Sequence, residues 1–190
     1  YQISLGSLPR LLKIKNKNEL IFRPLILKKE KINLPKDRLN IGLTWFGNVN
    51  YPNDEYRSIA LKYFKEILSM KNINYYKLSK GIKKIDLDEY NKFEIQDLGN
   101  KNFNQLSKYL MNLDLIISSD TVIAHLAGIL NLNCILLLNF NSDWRWFYED
   151  KKTTWYPSIK IIKQKKLNDW SPVFKSLKNE IDIYLNKKLN

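Results

Sequence analysis

From Asn40 onward, short apolar runs alternate with stretches of helical spacing. Ile41-Gly42-Leu43-Thr44-Trp45-Phe46 is a continuous apolar run ending at Gly47-Asn48, the pattern of a strand buried on both faces. A polar loop from Val49 to Arg57 follows. Ser58 then offers an N-cap for a helix from Ile59 to about Met70, with Leu61, Phe64, Ile67 and Leu68 on one face. Asn74 to Leu78 reads as a second strand ending at Ser79-Lys80-Gly81, and Phe93 to Leu98 as a less apolar third. Gln105 to Asn112 has the spacing of a short amphipathic helix. Asp114-Leu115-Ile116-Ile117-Ser118 is a fourth strand, and Ser119-Asp120-Thr121 stands at its end. Val122 to Leu130 is helical by pattern and apolar nearly all round, which predicts burial. Cys134 to Asn139 and Ile159 to Lys163 complete the strands. Ser171 to Leu185 is a closing helix with Val173, Phe174, Leu177, Ile181 and Leu185 inward.

Strands alternating with helices predict an α/β fold: a Rossmann-like parallel sheet with helices on both faces. With a strand order of 3-2-1-4-5-6, the first and fourth strands flank the switch point, where open parallel sheets bind ligands. The loops there are Gly47-Asn48 and Ser118-Ser119-Asp120-Thr121. Residues 1–38 are different. Pro9, Pro24 and Pro35 interrupt them and Lys28 to Lys36 is charged, so they read as an incoming arm with a short helix near Arg38. The chain opens with Tyr1 and has no signal-peptide pattern, and we expect a piece of a longer cytoplasmic polypeptide.

A net charge of +13 invites a nucleic-acid reading. The composition argues against it. There are 27 Lys, 22 Asn and 22 Ile against three Ala and five Arg, the signature of A/T-rich codons, and Arg, which forks onto bases and phosphates, is scarce. Against that background small residues are informative. Ala124, Ala127 and Gly128 cluster in one predicted helix, where larger side chains would keep it from a close neighbour. No apolar run approaches the roughly 20 residues of a membrane span. One Cys and one His exclude a disulfide framework, a cysteine cluster and a histidine pair, so no metal or other cofactor is expected.

The candidate chemistry lies at the strand ends. A helix start at Ser119-Asp120-Thr121 leaves free N–H groups and a partial positive charge suited to phosphate, and it is equally an ordinary cap. Asp120 would cap those groups or accept a sugar hydroxyl. His125, just over one turn further on, is a ligand group or a core histidine. Lys80 follows the second strand and could reach a phosphate as a point charge. Asp54 and Arg57 form a local ion pair or contact ligand. Trp144, Arg145 and the nearby Trp146, Trp155 and Tyr156 stack on a base or sugar, or pack the domain.

These residues resemble a known family. LDLIISSDTVIAHLAGIL at 113–130 is similar to the signature of bacterial glycosyltransferases that carry tetratricopeptide repeats, relatives of the family-9 heptosyltransferases and, more distantly, of the O-GlcNAc transferases. IGLTWFGN at 41–48, ND..RS at 53–58, LSKG at 78–81, DWRW at 143–146, WYPSIKIIKQ at 155–164 and DW at 169–170 continue the resemblance in order, and QISLGSLP at 2–9 resembles the segment before the last domain of such proteins. The resemblance implies the carboxyl-terminal half of a GT-B fold, with 1–38 as interdomain segment and 39–190 as a Rossmann-like domain binding a nucleotide-sugar donor. It implies metal-independent, inverting transfer to a protein or glycan acceptor, with an amino-terminal half supplying the catalytic base. Asp120, Thr121 and His125 would lie at the donor diphosphate and sugar, His125 as the catalytic group, and Lys80 at the phosphates beside Gly47, Asn48 and Ser119. The sequence departs from the family at Ser79, where Gln is usual, and at Tyr51, where His is usual. Two alternatives stand beside this reading: a binding or scaffold domain without turnover, and a basic nucleic-acid-binding module.

Overall fold

The computed structural model describes residues 8–16, 19, 21–48, 54–146 and 153–189. Six strands form one sheet: β1 (Leu39–Thr44), β2 (Ile73–Lys77), β3 (Ile95–Asp97), β4 (Leu115–Ser118), β5 (Cys134–Leu138) and β6 (Ile159–Lys163). Every neighbouring pair is parallel, in the order β3-β2-β1-β4-β5-β6, as the alternation of runs predicts. The register places Thr44 beside Ser118, so β1 and β4 end level at the switch point.

The helices are α1 (Leu8–Leu11), α2 (Asp54–Arg57), α3 (Lys65–Leu68), α4 (Leu87–Tyr90), α5 (Phe103–Leu110), α6 (Val122–Ile129) and α7 (Ser171–Leu189), with 3-10 turns leading into α3 at Leu61–Phe64 and into α4 at Lys84–Asp86. Two apolar layers sandwich the sheet. Alternate side chains explain the division, since successive strand residues face opposite sides. Leu39, Ile41, Leu43 and Ile117 face α3 and α7 with Phe64, Leu177 and Ile181, whereas Ile116, Cys134, Leu136 and Leu138 face α5 and α6 with Leu110 and Ala127. Ala124 and Ala127 are fully buried, so α6 lies close on the sheet.

Several expectations need correction. The helix expected to start at Ser58 begins instead as the 3-10 turn at Leu61, and Ala60 stands at its N-cap without a side-chain hydrogen bond. Ser58 does not cap: its hydroxyl oxygen accepts from Lys83 Nζ while its proton goes to Asp54 Oδ2, each at 2.8 Å, and the Leu61 N–H at the helix start donates to Asp86 Oδ1 at 2.9 Å. The predicted polar loop holds α2, and its residues 49–53, Tyr51 among them, lie outside the described residues. The short helix lies at Leu8–Leu11 rather than near Arg38, where the chain only bends before β1. In α6, Val122 and Ile129 are exposed at 53% and 40%, so the helix is buried on one side only.

Residues 21–38 run without helix or strand along α5 and α6. The Leu25 N–H donates to the Ile129 carbonyl at 2.8 Å, and Asn112 Nδ2 donates to the Glu30 carbonyl at 2.8 Å. Where this segment meets β1, the buried Asn40 donates from Nδ2 to the Pro35 carbonyl at 2.7 Å. Among the described residues, no helix is long and apolar enough to cross a membrane.

Candidate functional site: a cleft at the switch point

The carboxyl ends of β1 to β4 open onto a cleft of about 620 Å³. Gly47 and Asn48 line it from β1, Ser79 and Lys80 from β2, and Thr121 from the start of α6. Gly99 and Lys101, which follow β3, line it too, together with the exposed side chains of Phe103 and Val122. The sequence expectation omitted this β3 contribution. The Gly99-Asn100 pair after Leu98 is the turn signal that could have found it.

Two buried charges shape the loops. Asp54 is 4% exposed and accepts from Arg57 Nε at 3.1 Å, from Ser58 Oγ at 2.8 Å and from Lys83 Nζ at 2.6 Å. Burial alone would raise its carboxyl, but the donors Lys83, Ser58 and Arg57 outweigh it and hold Asp54 below the ordinary 3.8. Asp54 therefore sits beneath the cleft, where it anchors Arg57 to the β1 loop. Arg57 reaches on across the switch point, with Nη1 3.4 Å from the Asp120 carbonyl. The pair also explains Gly47, where an added Cβ would come within 2.4 Å of Arg57 Nη2.

The second charge, Lys77, was not legible as special among the lysines. It is 1% exposed and donates to the carbonyls of Ser79 at 2.8 Å and Gly81 at 2.7 Å while pairing with Asp97 at 2.9 Å. One buried ammonium thus folds the turn that presents Lys80 and ties it to the end of β3. Gly81 completes the turn with φ +68°, a conformation that costs glycine little.

At the β4 end, Thr121 caps α6: its Oγ1 accepts from the Ile123 N–H at 3.3 Å and lies 3.1 Å from Ser118 Oγ. Ser119 is fully buried, and its N–H donates to the Thr44 carbonyl at 2.9 Å. Among the described residues, the buried Ser79 Oγ, at the cleft, and the buried Ser119 Oγ have no hydrogen-bond partner. Ser119 and Asp120, expected at the donor, do not line the cleft, whereas the unpaired Ser79 Oγ does, together with Lys80, Arg57, Lys101 and the start of α6, a set that suits an anionic ligand.

His125 is not part of the cleft lining. It lies beside it, half-buried, in an aromatic nest. The imidazole stacks on the fully buried Trp146 with ring centroids 4.8 Å apart, and Nδ1 is 3.1 Å from the Tyr156 hydroxyl. Tyr156 reaches it across Gly128, where an added Cβ would come within 2.3 Å of the ring. That glycine costs the helix about 1 kcal/mol relative to Ala, so the close approach has a definite structural reason. Burial lowers the His125 pKa below 6.5, with Asp120 opposing, so the ring is neutral at pH 7. Burial raises the Asp120 carboxyl above 3.8, opposed by the Trp146 indole and by the charges of His125 and Arg57. Asp120 is thus the link between cleft and nest.

Trp144 and Arg145 stand on the far side of the nest, exposed, with the guanidinium 4.8 Å from the Trp144 ring and held by Asp143 at 2.9 Å. They do not line the cleft. Among the tryptophans after β5, Trp146 packs, and Trp155 donates from Nε1 to the Arg145 carbonyl at 2.8 Å. Burial pushes the Cys134 thiol up to about 12, which leaves it a core side chain. The chain's one Asp-x-Asp spacing, Asp86-Leu87-Asp88, is also structural. Asp86 is buried and accepts from Trp45 Nε1 and from the Leu61 N–H, each at 2.9 Å. Among the described residues, no group of three or more His, Cys, Asp or Glu is placed to hold a metal ion.

No protein-family model matches the chain, and no curated protein matches it by sequence. Solved structures do resemble it. The E. coli ADP-heptose lps heptosyltransferase II aligns over 90% of this chain and 57% of its own, with TM-score 0.60 and 13% identity. The E. coli heptosyltransferase WaaC with ADP aligns over 80% of this chain and 46% of its own, with TM-score 0.58 and 14% identity. WaaC with ADP-2-deoxy-2-fluoro heptose gives TM-score 0.54 at 12% identity, over 80% and 45%. The chain spans about half the length of these neighbours. Its six-stranded parallel sheet with helices on both faces is a Rossmann-like α/β fold, shared with these heptosyltransferase structures over the aligned half.

Proposed function

We propose that this chain is the donor-binding half of a glycosyltransferase related to the family-9 heptosyltransferases, and that its cleft takes the nucleoside diphosphate of a nucleotide-sugar. One observation carries the reading. A basic cleft holding the unpaired, buried Ser79 hydroxyl opens at the switch point, against the start of an eight-residue helix. The neighbours WaaC with ADP and WaaC with ADP-2-deoxy-2-fluoro heptose support it by analogy of fold.

In this reading the α6 amides and Lys80 take the phosphates, as Arg57 holds the two switch-point loops together. Asp120 accepts a sugar hydroxyl or orders the helix start. His125, past Asp120 and outside the cleft lining, serves the sugar–phosphate end, where a neutral N–H would stabilise charge on the departing diphosphate. Transfer is inverting and metal-independent, cation side chains neutralising the leaving group. The base and the acceptor site come from another part of a longer polypeptide, one linked to tetratricopeptide repeats and working in the cytoplasm.

The test is amide NMR of the chain with ADP, UDP and GDP. Shifts should concentrate at residues 47–48, 80–81 and 119–125. Shifts scattered over lysines elsewhere would reject the site, and duplex or single-stranded nucleic acid binding with steep salt dependence would favour the nucleic-acid module instead. Nucleotide binding without donor hydrolysis or transfer by the longer polypeptide would point to the scaffold alternative.

A further inference from the structure

The His125 nest joins the imidazole to a phenol that enters from a distant loop. His125 Nδ1 and the Tyr156 hydroxyl are 3.1 Å apart. Their contact is built from several elements. Trp146 supports one face of the imidazole. Gly128 opens the space through which Tyr156 enters. Phe22 packs edge-on against the Tyr156 ring from the other side, at 6.2 Å and 83°. Among the described residues, Tyr156 Oη has no hydrogen-bond partner other than His125. A phenol is a good donor and a poor acceptor, while the unprotonated nitrogen of a neutral imidazole is a strong acceptor. The favoured pairing is therefore phenol O–H to Nδ1, which leaves the ring proton on Nε2.

We propose that Tyr156 is a positioning residue that fixes His125 as the Nε2–H tautomer, so that the site's one imidazole offers ligand a neutral hydrogen-bond donor and not a base. The proposal rests on the donor-site reading for the identity of that ligand, an anionic phosphate or sugar oxygen. Its chemistry follows from the tautomer. A histidine with Nε2 protonated cannot take a proton from an acceptor hydroxyl there, so any deprotonation belongs to a different residue, whereas an N–H at Nε2 suits the oxygen that gains charge as the glycosidic phosphate bond breaks.

The chain's single histidine makes the experiment unambiguous, because every imidazole signal belongs to His125. Long-range ¹H–¹⁵N spectra of the 190-residue chain should show a pyridine-type Nδ1 and a pyrrole-type Nε2 at neutral pH. In Tyr156→Phe, which keeps the ring and removes the hydroxyl, the two nitrogen shifts should converge as the tautomers mix. The His125 pKa should also rise, since a donor to the neutral form has been removed while Asp120, Asp143 and Arg145 still face the ring. A tyrosine that only packs would leave both readings unchanged in the variant. Gly128→Ala, which displaces the Tyr156 ring by another route, should produce the same mixing. A wild-type spectrum with the proton on Nδ1, or with mixed tautomers, overturns the proposal without any variant. ADP, UDP and GDP added to the same samples separate the two layers. A locked tautomer with no nucleotide binding overturns the donor-site reading and with it the ligand assignment. Nucleotide binding with mixed tautomers overturns the lock alone.

Discussion

The α carbon of Gly99 stands against the carbonyl of Ser79 so closely that an added Cβ would lie 1.9 Å from its oxygen. The loops after β2 and β3, which line one side of the cleft, are in backbone contact at that point, and the Lys77–Asp97 pair ties the strand ends that lead into them at 2.9 Å. Backbone cannot swing aside as a side chain does. Gly99→Ala should therefore destabilise the chain by about 3 kcal/mol, at the upper end for overpacking. Thermal unfolding checks this, and a melting temperature within a degree or so of wild type would contradict the contact.

Lys80 is the exposed cation on the turn that Lys77 holds, and it lines the cleft. Lys80→Ala should weaken nucleoside diphosphate binding by about tenfold, roughly 1.4 kcal/mol, with little change in melting temperature. Lys77→Met should act differently. It removes a buried donor shared by three oxygens, so it should lower stability by about 2 kcal/mol and weaken binding only through the loosened turn. Calorimetric titration and thermal melts of both variants separate the two roles.

His125 sets a pH dependence of stability. Burial disfavours its charged form, so its folded pKa lies below 6.5 while the unfolded imidazole titrates near that value. The unfolded chain then binds the proton more readily. The contribution is fully present above about pH 6.5 and is lost as the pH falls through the lowered folded pKa. His125→Asn should flatten that limb, and the comparison is read above the range in which Asp120 titrates, because Asp120 shifts the other way and also responds to the His125 charge. Parallel curves would contradict the assignment.

The same variant tests the role of the ring. His125→Asn loses the stacking on Trp146, about 1 kcal/mol, and the domain should stay folded with a melting temperature within a few degrees. Transfer by the longer enzyme should fall about tenfold or more. Full transfer in a destabilised variant would mark His125 as a core residue.

Metal independence has a direct test. Asp86 spends both carboxylate oxygens on Trp45 and Leu61, which leaves the Asp-x-Asp spacing without a free ligand pair. Transfer by the longer enzyme should survive EDTA. Activity abolished by the chelator and restored by Mn²⁺ or Mg²⁺ would overturn the reading.

The sequence by itself determined the sheet. Apolar runs such as Cys134–Leu138 and the helical spacing between them set each element, and parallel pairing with helices on both faces is the arrangement that buries runs apolar on both sides. The small residues of α6 were legible because the composition is so poor in them, and the structure gives Gly128 a partner, Tyr156, that no local pattern could name. The helix expected at Ser58 starts later because Lys83, 25 residues on, occupies the serine oxygen that capping needs and the Leu61 N–H turns to Asp86 instead. Only the tertiary structure decided that Asp54 is an anchor beneath the cleft and Lys77 a buried clamp, since a charge becomes special by losing water and gaining oxygens from distant loops. It alone separated His125 from the cleft lining and paired it with a phenol 31 residues away. Strand and helix periods record which side chains must leave water, and they carry no record of which loops the finished sheet brings together at its carboxyl edge.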